Sequence, residues 1–408
     1  MSKNQDISSL IKEIKKKHGD SSIKTANELM NSEGRWTGAL GIDKLILGQT
    51  IPVGSTLSVW GRPGVGKTQF CATVIQTQRL INPEIYNIYL DFEDSVKKES
   101  MPFLKIPEND ERFLIVSQGV SSERDFDIVK DIMSTDGIEV GAMVVDSLHA
   151  TATREREEKN LADGPEQMGA KARLMNHITT SFRARQSKTK ALGIYVLQFR
   201  QQLTSYPSRF YESGGMAIQH MRHYALYFEP PVKADAYNYI PEQKSPGDPY
   251  IAQITRVTCM KNKFAHVDIG PIAHCDFPIV TIPSYKPGYG YNAELDTLLI
   301  AWRTGDLYSP KQGMIGYNDQ SFRCAKDAQK QLAIFREKGI LLELFDKYVK
   351  DLNWPKELIE ERRLHLSDPV PELLLDDVSA IGKVAEEIVS DEELEAERNY
   401  VAGVEADG

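Results

Sequence analysis

The octapeptide Gly61-Arg62-Pro63-Gly64-Val65-Gly66-Lys67-Thr68 directly follows the apolar run TLSVW (56–60) and opens a helix-compatible stretch over 68–80. A GxxxxGK[ST] sequence between a strand and a helix is a phosphate cradle, and it constrains the chain more than any other feature. Its glycines let backbone N–H groups curl around a phosphate, and the helix N-terminus adds a favourable dipole. Lys67 is placed to reach β- and γ-phosphates and the Thr68 hydroxyl to complete a Mg²⁺ shell, with Gln69 next in line. The expected ligands are ATP and Mg²⁺.

Around the cradle the chain alternates strands and helices. YNIYL (86–90), FLIVS (113–117), GAMVVD (141–146) and LGIYVLQ (192–198) are short β-rich runs. Helix-like stretches cover 68–80, 122–133 and 169–185. Near-continuous apolar strands separated by helices predict an α/β fold, a mostly parallel sheet covered on both faces. Three later runs (223–230, 250–262 and 266–273) follow one another without helices and read as an antiparallel extension. The Pro- and Gly-rich segment 231–249 reads as an exposed loop, and 293–354 returns to helix-rich composition. At the start, Ile7, Leu10, Ile11 and Ile14 fall at helical spacing, with His18-Gly19 as a stop.

Polar residues end three of these strands. Asp146, closing the run GAMVVD, is the carboxylate that holds Mg²⁺ through water beside a phosphate loop. Asp91-Phe92-Glu93 closes the strand after the cradle helix, and Glu93 is the choice within that acidic group for orienting the attacking water. Gln198 ends the fifth strand, where an amide can bond a γ-phosphate and register its loss.

Composition excludes several classes. At 41% hydrophobic and 26% charged the chain is ordinary for a globular protein, and its longest apolar runs are strand-sized. The start lacks an apolar signal core, and the four cysteines lack CxxC spacing, so a free-thiol cytoplasmic protein is expected. The net charge of −9 is uneven: residues 367–408 hold −11, leaving a body at +2. That tail is expected to be mobile and reads either as a solubilising end or as an acidic competitor for basic loops of the body.

The order of these parts resembles the RecA family of DNA recombinases, bacterial RecA and its tailed-phage UvsX-like relatives, from about Leu10 to Arg303. LIKEIKKKHGDSSI (10–23) is similar to the family's polymerisation helix and following strand, and TGALGID (37–43) to the turn ahead of its phosphate loop. Met168-Gly169-Ala170-Lys171-Ala172-Arg173-Leu174-Met175 resembles the end of the first DNA-binding loop. Gln198-Phe199-Arg200 resembles the opening of the second, and Ser213-Gly214-Gly215-Met216-Ala217 its close. Lys261-Asn262-Lys263 resembles the K-N-K that reaches ATP on an adjacent subunit, and Tyr285 an aromatic packing near adenine. Some positions depart from the bacterial pattern. Thr180 replaces a second DNA-contacting arginine, 94–100 lacks the usual adenine contacts, and His220 replaces an interface Phe.

The resemblance implies four units: an N-terminal oligomerisation helix and linker (1–36), a RecA-type P-loop ATPase core with two DNA loops (37–292), a small C-terminal α/β domain (293–366) and an acidic tail (367–408). It implies DNA contacts from Met168, Gly169, Arg173, Asn176, Arg200, Arg209, Phe210, Gly214 and Gly215. Cations beside aromatics in such loops suit single strands of any sequence. The function expected is ATP-dependent strand exchange by a helical homo-oligomer on single-stranded DNA, paired with homologous duplex, with single-strand-binding and mediator proteins as further partners and no membrane. A ring helicase motor and a DNA-independent signalling ATPase on the same core are the alternatives.

Overall fold

The computed structural model describes residues 7–18, 33–97, 110–117, 121–148, 150–151, 170–202, 209–212, 215–229, 252–264, 273–280, 290–312, 314–323 and 328–367. Helix α1 (Ile7–His18) is amphipathic, and its last turn carries Lys15, Lys16, Lys17 and His18, where cations favour the helix dipole. A short antiparallel pair, β1 (Gly34–Arg35) with β2 (Ile51–Pro52), precedes the main sheet.

Six strands of that sheet run parallel, in the order β5 (Phe113–Ser117), β4 (Tyr86–Asp91), β6 (Val140–Asp146), β7 (Leu192–Gln202), β3 (Thr56–Gly61), β9 (Tyr224–Phe228). Beyond β9 the direction alternates through β10 (Ala252–Asn262), β11 (His274–Val280) and β12 (Gly290–Tyr291). Helix α2 (Lys67–Ile81) covers one face, and α3 (Ser122–Ser134) and α4 (Ala170–Thr189) the other.

Strand alternation splits the apolar residues between two cores. Val59, Tyr89, Val144 and Val196 join Phe70 and Val74 of α2, whereas their neighbours Trp60, Leu90, Val145 and Leu197 join Phe126 and Phe182. Both faces are therefore dry, which accounts for the near-continuous apolar strands. A third core lies in the C-terminal part, formed by α6 (Ala293–Thr304), the sheet β13 (Leu307–Tyr308), β14 (Met314–Tyr317) and β15 (Gln320–Arg323), and helices α7 (Ala328–Glu337), α8 (Ile340–Val349) and α9 (Lys356–Ser367). Trp36 and Leu40, from the segment ahead of the cradle, are buried in that same core.

Two expectations need correction. The run 223–230 was expected to be antiparallel, yet β9 pairs parallel with β3 and only its other edge meets β10 antiparallel. The crossover that a parallel strand needs is supplied by a short helix, α5 (Gly215–Met221), which lies within the motif-bearing segment. Of the strand expected at 266–273, residues 266–272 lie outside the described residues, and the strand described next to it is β11 over 274–280. The segment 199–215 was expected to be a loop. Instead β7 continues to Gln202 and pairs antiparallel with β8 (Arg209–Glu212), making a two-stranded ribbon that projects beyond the sheet.

Candidate nucleotide site

The cradle forms where β3 ends and α2 begins, at the carboxyl ends of the parallel strands, where open α/β sheets place ligands. Gly66 caps the helix with φ +90°, a backbone shape that favours glycine, and a Cβ there would also displace the tip of the Ile279 side chain, 2.1 Å away. Lys67 Nζ donates to the carbonyls of Gly61 (2.9 Å) and Arg62 (2.5 Å). Burial pulls the ammonium down to about 8, against the opposing pull of Asp146 and Glu93.

Strand β10 braces the loop from the side. Gln253 Nε2 donates to the Gly64 carbonyl (3.0 Å), and Thr255 Oγ1 to that of Val65 (2.9 Å). Neither residue was singled out in the sequence, since two polar side chains at alternate strand positions carry no local signal.

Asp146 ends β6 beside the cradle. Its Oδ2 accepts from Thr68 Oγ1 at 2.9 Å and from the Tyr89 hydroxyl at 2.6 Å. Burial raises the Asp146 carboxyl, and the Tyr89 and Thr68 hydrogen bonds oppose that rise. A carboxylate and a hydroxyl within hydrogen-bond reach, beside a cation and a loop of backbone amides, form a hard-oxygen set of the kind Mg²⁺ with a polyphosphate takes.

The acidic group after β4 divides by role. Buried Asp91 accepts from Ser95 N and Oγ (both 3.1 Å) and Val96 N (2.7 Å), so it shapes the turn. Asp94 pairs with Lys97 on the surface. Glu93 Oε1 accepts from the Ser147 hydroxyl and from Gln198 Nε2 at 2.9 Å. The structure therefore brings Lys67, Thr68, Asp146, Glu93 and Gln198 to one end of the sheet.

It does not bring Lys261 and Lys263 there. Lys261 pairs with Ala225 and Asn262 with Tyr224 at the start of β9, the opposite end of the sheet from the cradle. Along β10, Lys261 lies eight residues from Gln253, roughly 25 Å at strand spacing. Lys261 Nζ donates to the Gln219 carbonyl of α5 (2.9 Å), and Lys263 is exposed.

Of the residues expected at DNA, Arg173 and Asn176 are exposed three positions apart on α4, hence on one face. Thr180 Oγ1 bonds back to the Asn176 carbonyl at 2.9 Å. Arg200, Arg209 and Phe210 fall on the ribbon, pairing with Tyr211, Gln202 and Gln201. Gly215 opens α5. Met168, Gly169, Gly214 and Tyr285 lie outside the described residues. His220 is exposed, and His223 Nδ1 accepts from Thr56 N (3.0 Å), its proton affinity lowered to about 4 by burial. Among the described residues no cluster of three or more His, Cys, Asp or Glu side chains is placed to hold a metal ion by itself, and no helix is long and apolar enough to cross a membrane.

A family model described as the RecA N-terminal domain matches residues 5–279. The chain belongs to the RecA family. The matched span takes in α1, the cradle, Asp146, Gln198 and the Lys261–Lys263 segment. The chain is 24% identical over 353 residues to Protein RecA of Laribacter hongkongensis, covering 85% of this chain and 90% of that one. It is 26% identical over 303 residues to Protein RecA of Ureaplasma parvum, covering 73% and 83%. To Protein RecA of Legionella pneumophila it is 24% identical over 354 residues, covering 85% and 94%.

Proposed function

We propose that the chain is an ATP-dependent recombination protein that assembles head to tail as a filament on single-stranded DNA and pairs that strand with homologous duplex. The observation carrying this reading is the separation of the cradle from Lys261 and Lys263 at opposite ends of one sheet. Two lysines so placed serve a nucleotide only on another copy, and a heterologous contact that does not close gives an open filament.

Within one copy, the backbone of Gly61–Lys67 holds the phosphates, Lys67 neutralises their charge, and Thr68 with Asp146 holds Mg²⁺. Bound Mg²⁺·ATP supplies the scissile phosphoanhydride and a cation that screens the charge developing on it. Glu93, set by Ser147 and Gln198, orients the attacking water. Gln198 is the hinge between chemistry and DNA, because the ribbon with Arg200, Arg209 and Phe210 begins at the next residue of the same strand, Phe199. Trading its bond to Glu93 for one to a phosphate would shift that ribbon. Arg173 and Asn176 on α4 and the ribbon cations then meet the phosphate backbone of DNA.

Negative-stain microscopy with long single-stranded DNA and a slowly hydrolysed ATP analogue tests the reading. Continuous helical filaments are expected. Closed rings threaded on DNA would favour a helicase motor instead, and bare DNA beside free particles would leave a DNA-independent ATPase.

A further inference from the structure

We propose that Tyr89 is a positioning residue for Mg²⁺: its hydroxyl, with that of Thr68, clamps Oδ2 of Asp146 and presets the carboxylate that holds the ion. The inference rests on the nucleotide-site reading above and assigns a role to a residue that reading does not use.

Tyr89 lies mid-strand in β4, fully buried in the apolar core on the α2 side, with its ring centroid 6.3 Å from that of Phe113. Packing alone would be served by phenylalanine, because a hydroxyl taken out of water without a partner costs free energy. This hydroxyl has a partner, the Asp146 carboxylate at 2.6 Å, a short charge-assisted bond. Thr68 donates to the same oxygen from α2 at 2.9 Å. Two donors from two elements, meeting on one oxygen, fix the carboxylate plane. Thr68 has a second task, because its hydroxyl can donate its hydrogen to Asp146 and offer an oxygen lone pair to the ion at the same time. The Tyr89 hydroxyl, held by a strand buried on both sides, has no such second task and serves only to hold the carboxylate. Outer partners of this kind orient metal-holding groups, and losing one typically weakens metal binding about 10–100-fold.

The test titrates MgCl₂ into full-length protein with a fluorescent ADP analogue and compares wild type, Tyr89→Phe and Phe113→Leu. Melting temperature without nucleotide is read in parallel. For Tyr89→Phe the Mg²⁺ midpoint should rise about tenfold or more, while nucleotide affinity without Mg²⁺ stays as in wild type. Phe113→Leu should lower the melting temperature and leave the midpoint in place, since it disturbs packing against Tyr89 without removing the hydrogen bond. Coincident midpoints for wild type and Tyr89→Phe would overturn the proposal, and so would an equal shift in Phe113→Leu. If nucleotide binding to wild type ignores Mg²⁺ altogether, the nucleotide-site reading fails and this inference falls with it.

Discussion

Asp91 and Glu93 stand two residues apart at the end of one strand, and their hydrogen bonds separate them. Asp91 commits both oxygens to Ser95 and Val96, whereas Glu93 reaches Ser147 and Gln198 across two further strands. Glu93→Gln should therefore keep nucleotide affinity near wild type and lower turnover about 100-fold or more, measured by equilibrium binding and steady-state phosphate release. Turnover within a factor of two of wild type would remove Glu93 from the chemistry. That Lys67, Thr68 and Asp146 meet at one place was legible in the sequence because each is marked by contiguous spacing or by the end of an apolar run. Tyr89, Ser147, Gln253 and Thr255 were not. Tyr89 sits inside an apolar strand where an aromatic reads as core, and it is core as well; only the neighbouring strand reveals what its hydroxyl touches.

At the scale of elements, the parallel strands and their helices were readable because two buried faces leave long apolar runs. What sequence missed lay where pairing is set by the partner. The ribbon of β7 and β8 is polar and Gly-flanked, and β9 owes its direction to a seven-residue helix. The junction with the C-terminal part was equally hidden. Asp296 on α6 is fully buried, accepting from Gly41 N and the Tyr291 hydroxyl (2.9 and 2.7 Å), and burial lifts its carboxyl to about 7. A carboxyl raised in the folded state binds its proton there first, so its charge penalises folding above pH 7 and the penalty fades as pH falls toward about 4. Relative to Asp296→Asn, wild type should gain on the order of 1 kcal/mol or more between pH 7.5 and 5.5, read from denaturant midpoints. A pH-independent difference would contradict this. Beside it, Glu294 is buried and paired with Arg336 of α7. Arg336→Met removes that buried ion-pair partner and should cost about 3 kcal/mol or more, measured by urea unfolding; a loss below about 1 kcal/mol would show the pair to be dispensable.

For the whole molecule, the separation of Lys67 from Lys261 and Lys263 makes a prediction that no isolated copy can satisfy. Lys67→Ala and the double variant Lys261→Ala/Lys263→Ala should each be inactive alone in DNA-stimulated turnover. Mixed in equal amounts, they should recover activity, because about one head-to-tail contact in four pairs an intact cradle with intact lysines. No recovery, in a mixture shown to co-assemble, would mean that the lysines act within their own copy or not at all. Strand β10 gives this arrangement a further consequence. One end of it touches the loop of its own cradle through Gln253 and Thr255, and the other presents Lys261 to whatever lies beyond. A hydrogen-bonded strand is stiff except where it bulges, as β10 does between Cys259 and Lys261, so a shift of the loop at one end would reach Lys261 only through that bulge. Each copy in a head-to-tail row would then report its own loading to one neighbour and receive the report of the other. In such a row the two ends of β10 would face different neighbours, so the row would not read the same in its two directions.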